Sequence, residues 1–146
     1  MSTTFTPSPA AERPPVSAAR ARTIAGYRNL ALWTLQGWAA MFFFAAGYAK
    51  LTESFGNLVA LMNWPALVSE NLVRGVGIVE IVLALGLLAP LVSWKLGRWP
   101  LLISAAGLTA LEAVMLTVHR VGMDIGLTLT NAVLLAITIP VLLGRR

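Results

Sequence analysis

Four stretches of this chain stay apolar for the length a helix needs to cross a bilayer, and that decides what it can fold into. Leu30 to Ala49, Leu72 to Leu91, Leu101 to Val118 and Ile125 to Leu143 each approach the ~20 residues that span a ~30 Å hydrocarbon core. Hydrocarbon offers no partner to backbone donors and acceptors, so such stretches must satisfy their own and form helices. The expected fold class is all-α, a polytopic membrane four-helix bundle over residues 29–146. Composition agrees, since 58% of the 146 residues are hydrophobic and 12% charged, against about 25% charged in soluble domains. Leu30 to Ala49 is longer than the apolar part of a secretory leader, and Gly47-Tyr48-Ala49-Lys50 has no small-residue cleavage pattern. The first span is expected to be retained.

Residues 1–28 carry Pro7, Pro9, Pro14 and Pro15 among Ala, Ser and Thr. That is too polar and proline-rich to fold alone and reads as a disordered basic tail. Arg13, Arg20, Arg22 and Arg28 share one membrane face with Lys95 and Arg98 between spans two and three and with Arg145 and Arg146, eight of the eleven Lys and Arg. Only Lys50, Arg74 and Arg120 fall on the other. Cytoplasmic flanks collect Lys and Arg, so both termini are expected in the cytoplasm, with the protein in a bacterial plasma membrane. The net charge of +5 then belongs to a rim that meets anionic lipid, and nucleic-acid binding is set aside. Tyr27, Trp33, Trp94 and Trp99 near the inner surface, and Tyr48 and Trp64 near the outer, read as interfacial anchors.

Helix punctuation fits the spans. Pro65 is expected to open span two and Pro100 to sit in the first turn of span three; Gly122 ends span three and Asp124 caps span four. Ala106 and Ala110, with Thr109 and Ala113, lie one turn apart on span three and invite close approach of a neighbouring helix. Between Lys50 and Asn71, Leu51, Phe55, Leu58, Val59 and Met62 recur at helical spacing. They imply a short interfacial helix ended by Asn63-Trp64-Pro65, serving as a cap, a lid or a docking surface.

The polar residues inside the spans carry the functional question. A carboxylate in hydrocarbon costs several kcal/mol unless it is paired, protonated or facing water, so Glu80 and Glu112 are site candidates. With a rise of ~1.5 Å per residue, Glu112 lies about 10 Å below His119 and, seven residues away, on nearly the same face. Asn131 is likewise seven residues inside Asp124, and Glu80 is nine beyond Asn71. Glu80, Glu112 and Asn131 should therefore meet in one outer-half layer, with Lys50, Arg74, His119 and Asp124 around its mouth. Local readings compete: Arg74 with Glu70 four residues earlier, His119 at a helix end, Asp124 as a cap, Asn131 as an interhelical hydrogen bond. With no Lys or Arg expected at their level, the two acids are expected to share a proton or hold a ligand; if they face a common cavity at least one should be protonated, which would make Glu80→Gln far milder than Glu80→Ala. Gln36, in the inner half of span one, looks isolated.

Absences narrow the chemistry. A chain with no cysteine performs no thiol exchange and binds no iron–sulfur cluster, and one histidine excludes bis-histidine haem. Glu80, Glu112, His119 and Asp124 have no metal-ligand spacing, so no metal is expected. Gly75 and Gly77 stand at dinucleotide-fingerprint spacing, but Glu80 replaces the third glycine within a span and the match is spurious.

Gly47-Tyr-Ala-Lys50, the loop with Trp64-Pro65, and Arg74-Gly75-Val-Gly77-Ile-Val-Glu80 running into Leu87-Leu88-Ala89-Pro90 together resemble the DoxX-like family of small four-helix bacterial membrane proteins. The resemblance covers roughly Leu30 to Leu143 and carries over Lys50, Gly77 and Glu80; Glu112, His119 and Asn131 rest on depth alone. It implies a small subunit like those of a thiosulfate to quinone oxidoreductase, or of membrane oxidoreductase assemblies that counter oxidative stress. Three functions stay open: a membrane subunit or anchor for a redox partner, or a homo-oligomer, with quinone as cofactor; a permease or lipid-binding protein with a protonatable Glu80/Glu112 pocket; and a structural scaffold.

Overall fold

The structure, a computed structural model, describes residues 16–146. The chain divides into two units, one up to Leu30 and one from Ala31 to Arg146. The helices are α1 (Val16–Thr52), α2 (Phe55–Met62), α3 (Glu70–Leu88), α4 (Trp94–Val121) and α5 (Ile125–Gly144), with short 3-10 turns at Trp64–Leu67 and Ala89–Leu91. All but α2 are long and apolar enough to cross a membrane. The fold is all-α.

Local sequence explains where these helices differ from expectation. Residues 1–15 of the expected tail lie outside the described residues, but from Val16 to Arg28 the chain is helical. Ser17-Ala-Ala-Arg-Ala-Arg22 is rich in strong helix formers, and extending an existing helix is far easier than nucleating one. Pro65 belongs to the 3-10 turn, while α3 opens at Ser69, whose side chain accepts from the Leu72 N–H. The third span begins at Trp94 rather than Leu101, leaving Pro100 inside α4. Gly122 and Asp124 end α4 and cap α5 as expected.

Each long helix buries one narrow stripe at alternating three- and four-residue steps, the pattern of nearly antiparallel bundle helices. On α1 it runs through Leu32, Gln36, Ala39, Phe43, Gly47 and Lys50, on α3 through Val73, Gly77, Glu80, Ala84 and Leu87, and on α5 through Asn131, Leu134, Thr138 and Val141. On α4 the stripe is Leu101, Ala105, Leu108, Glu112 and His119. Ala106, Ala110 and Ala113 therefore point outward and Thr109 is half-buried, because the face that buries Glu112 turns them away. Close approach comes from glycine instead: Gly86 faces Ser104, and Gly97 lies against the Ala89–Pro90 backbone.

A close crossing also joins α1 to α3. A Cβ added at Gly47 would fall 2.6 Å from the Gly77 carbonyl oxygen, and one at Gly77 would fall 2.8 Å from the Lys50 Cβ. The mid-bundle core is Ala40, Phe43, Ala84, Leu108 and Leu134 with their neighbours. Over one end, Leu58 of α2 and Trp64 of the following turn pack on Val73, Met115 and Val118, so the connector is a cap and Trp64 is buried beneath it. At the opposite end Gln36 is not isolated: its Nε2 donates to the Leu87 carbonyl, at the point where α3 gives way to the Pro90 turn. Trp33 and Trp94, read as lipid anchors, flank the Arg145 guanidinium at 4.8 and 5.1 Å. A cation held on ring faces in this way stabilises by about 0.5–2 kcal/mol, and burial holds the Arg145 pKa below its ordinary value.

Filling the α1–α3 crossing should be costly in a way that depends on position and not on glycine as such. Gly77→Leu should lower stability in mild detergent by about 1–3 kcal/mol through overpacking. Gly75→Ala, with open space around the new methyl, should leave the thermal midpoint unchanged or slightly raised. Equal losses at both positions would remove the crossing from the account.

Candidate functional site

Lys50 and Glu80 form an ion pair buried inside the bundle. Lys50 Nζ lies 2.9 Å and 2.7 Å from the two Glu80 carboxylate oxygens, and each side chain is only 6% exposed. The helices deliver this geometry. Cβ bonds tilt toward a helix N terminus, so on antiparallel helices the Lys50 stem leans into the bundle while Glu80 leans back toward the α2 end. Gly77, one turn before Glu80, has no side chain to obstruct the stem. The expectation of no cation at the level of the acids is thereby corrected: Lys50 was placed by the depth of its backbone, and its four-carbon side chain carries the charge a turn deeper. Glu80→Gln would then leave the Lys50 charge unpaired, so the mild outcome expected for it is withdrawn.

Glu112 has no such partner. It is 4% exposed, its Oε2 is fully buried without a hydrogen bond, and no ion pair reaches it among the described residues. Next along the same face, His119 bridges three elements: its Nε2 is 3.3 Å from the Met62 carbonyl and its Nδ1 is 2.6 Å from Asn131 Nδ2. A carbonyl only accepts, so Nε2 carries the hydrogen and Nδ1 accepts from the Asn131 amide. The ring ties α2, α4 and α5 together.

Lys50, Glu80, Glu112, His119 and Asn131 line one cavity of about 90 Å³, roofed by Met62 and Trp64 and walled by Phe42 and Met115. Arg74 and Asp124 stand outside it. Arg74 Nη2 donates to Glu70 at 2.8 Å and Nη1 to the Lys50 carbonyl, closing the end of α1. Asp124 caps α5 through the Leu127 N–H at 3.0 Å and accepts from Asn63 Nδ2 at 2.9 Å. The Leu127 N–H, with Asn63 beside it, holds the Asp124 carboxyl below the usual carboxylate range. Asn63 takes the left-handed backbone at φ 58° that ends α2, and its bond to Asp124 ties the cap to the α4–α5 turn.

Met62, Trp64, Met115 and Phe42 were not read from the sequence as site residues, since apolar side chains at helical spacing are ordinary core. The signal for the ion pair was present. Gly47-x-x-Lys50 and Gly77-x-x-Glu80 repeat one spacing, each glycine a turn from a charge that must pass a close crossing.

Four apolar helices, a buried Lys–Glu pair and a solitary carboxyl define a small polytopic membrane protein with a polar cavity in one half. Residues 34–141, which include every residue lining that cavity, match the DoxX-like family, and the chain belongs to it. Comparison with curated proteins gave no match. Comparison with solved structures gave none either.

Removing one member of the pair leaves a buried charge unanswered, which costs about 3–5 kcal/mol, whereas an apolar pair of similar volume is close to neutral. Lys50→Met and Glu80→Leu should each depress thermal stability strongly, and the double variant should recover most of the loss. Additive losses in the double-mutant cycle would show that the two charges are not coupled.

Proposed function

We propose that this protein is a small membrane subunit that serves a quinone-linked oxidoreductase by holding the carrier's polar head beside Glu112. The observation that carries the reading is the Glu112 carboxyl, buried without a partner at the edge of a cavity that has room for one. Leaving such a group unsatisfied costs about 1–3 kcal/mol or more, and a ligand removes that cost. A neutral carboxyl donates to a quinone carbonyl and accepts from a quinol hydroxyl, so both redox forms find a partner. Lys50 has three N–H donors, and Glu80 takes two through its two oxygens. Electron transfer itself falls to a partner, because a chain without cysteine and with one histidine supplies no iron–sulfur or bis-histidine haem ligands.

Purification from the native membrane in mild detergent is the test. An oxidoreductase should co-purify and a quinone should be retained in near-stoichiometric amount; Glu112→Leu should reach the membrane normally and retain at least tenfold less. Bulk phospholipid alone, with no redox partner, would overturn the reading. The same unpartnered carboxyl also supports a permease in which Glu112 takes up and releases a proton. That reading gains if Glu112→Gln abolishes proton-linked flux in vesicles while the protein purifies without an oxidoreductase.

The proposed location is a plasma membrane with both termini cytoplasmic. It is supported by Lys95, Arg98, Arg145 and Arg146 lying with the tail arginines on one side of the spans. Reporter fusions after Arg146 and within 95–98 should both report cytoplasm, and a fusion at Asn57 the opposite side. A non-cytoplasmic signal at Arg146 would reverse the assignment.

A further inference from the structure

On its α1–α5 side the cavity shares part of its lining with the bundle surface. Phe42, Thr130 and Leu134 line it and also line a second, larger depression of about 400 Å³ between these two helices. This groove is otherwise walled by Trp38, Leu129, Val133 and Ile137. Trp38, Leu129 and Val133 are more than half exposed on the bundle surface, where a membrane protein meets acyl chains. From Leu129 to Ile137 the wall rises by eight residue steps, about 12 Å at 1.5 Å per residue, and it runs from the cavity toward the bundle's middle. A polar chamber at one level and an apolar trough leading from it toward mid-bilayer follow the same order as head and tail in a leaflet.

We infer that the ligand of the cavity is a single-chain amphiphile with a small uncharged head, its head beside Glu112 and its tail in the α1–α5 groove. The inference rests on the cavity reading above and adds the ligand's form. Head size follows from volume: about 90 Å³ is less than the ~150 Å³ cavity that accepts benzene. A ring therefore enters by one edge, and a hydroxyl or carbonyl edge fits. Head charge follows from the residues present. Lys50 is already matched by Glu80, so no spare cation awaits an anionic head. Chain number follows from the groove, which one pair of helices walls and in which a single chain of about eight to ten carbons spans ~12 Å. Two sources share this chemistry, a tailed quinone and a long-chain alcohol.

The test uses the full chain in phospholipid nanodiscs, with empty nanodiscs subtracted, and titrates a benzoquinone bearing a ten-carbon tail, the same ring without a tail, 1-decanol and decanoate. The tailed quinone should bind at least tenfold more tightly than the bare ring, and decanoate should not compete. Competition by decanol at equal concentration would name the alcohol as the source; its failure would name the quinone. Val133→Phe and Leu129→Phe, which fill the groove from its surface, should each remove the tail's tenfold advantage and leave the bare ring within twofold of wild type. Val82→Phe, exposed on α3, should change nothing. Bare-ring binding with no tail advantage overturns the groove and leaves the cavity standing. Tail-dependent binding that survives Glu112→Leu marks an ordinary lipid-chain site and overturns the inference, and tight binding of decanoate overturns the uncharged head. Absence of all binding overturns the inference together with the cavity reading beneath it.

Discussion

A charge in hydrocarbon has to be answered, and in this protein the answer to Glu80 fixes the rest of the architecture. Lys50 reaches it only if α1 and α3 cross closely, only if Gly47 and Gly77 meet at the crossing, and only if both helices are rotated to aim these residues inward. Once that rotation is set, the three- and four-residue steps of each stripe determine which side chains face the core. Arg74 then falls beside the end of α1 and accounts for the Lys50 carbonyl, one of the acceptors a helix terminus leaves open. The pair thus orders a terminus as well as a core.

Such a pair is a poor way to gain stability alone, since apolar residues of equal volume commonly do as well. Its value is positional. The same half of the bundle holds one answered carboxylate and one unanswered one, with His119 and Asn131 satisfying each other alongside. The other half carries milder polarity, with Gln36 on the Leu87 carbonyl and the buried hydroxyls of Ser104 and Thr138. Phe43, Ala84, Leu108 and Leu134 lie between the two halves. The two carboxyls within the spans, Glu80 and Glu112, lie in one half, and the buried cation of the other half, Arg145, sits at its end between Trp33 and Trp94.

Much of this was legible by counting. Helical rise is constant and the spans end at recognisable caps, so the depths of Glu80, Glu112 and Asn131 follow from the positions of Asn71, His119 and Asp124. The partner of Glu80 did not follow, because it depends on how far a flexible lysine reaches and on which two helices touch. Thirty residues separate the pair, and depth counting treats each span alone. The contact of Trp33 and Trp94 with Arg145 was not legible for a related reason: at a span's end an aromatic facing lipid and one facing Arg145 have the same sequence neighbourhood. The outward turn of Ala106 and Ala110 shows that small residues reveal close packing only once the buried face is known. The start of α1 was missed because a proline-rich composition was averaged over residues that include a run of helix formers.

The order of Lys50 and Glu80 along the chain bears on biogenesis. A membrane helix carrying a carboxylate at its middle is a poor candidate for spontaneous partitioning, since the penalty at the helix centre is roughly 2.5–3.5 kcal/mol for an aspartate on insertion scales. When α3 leaves the ribosome, α1 with its lysine has already been made, and the two meet across a connector of only 17 residues, from 53 to 69. Pairing of α1 with α3 as a hairpin would offset that penalty, and the glycine crossing is shaped to receive it. Glu112 arrives later, on a helix with no cation waiting.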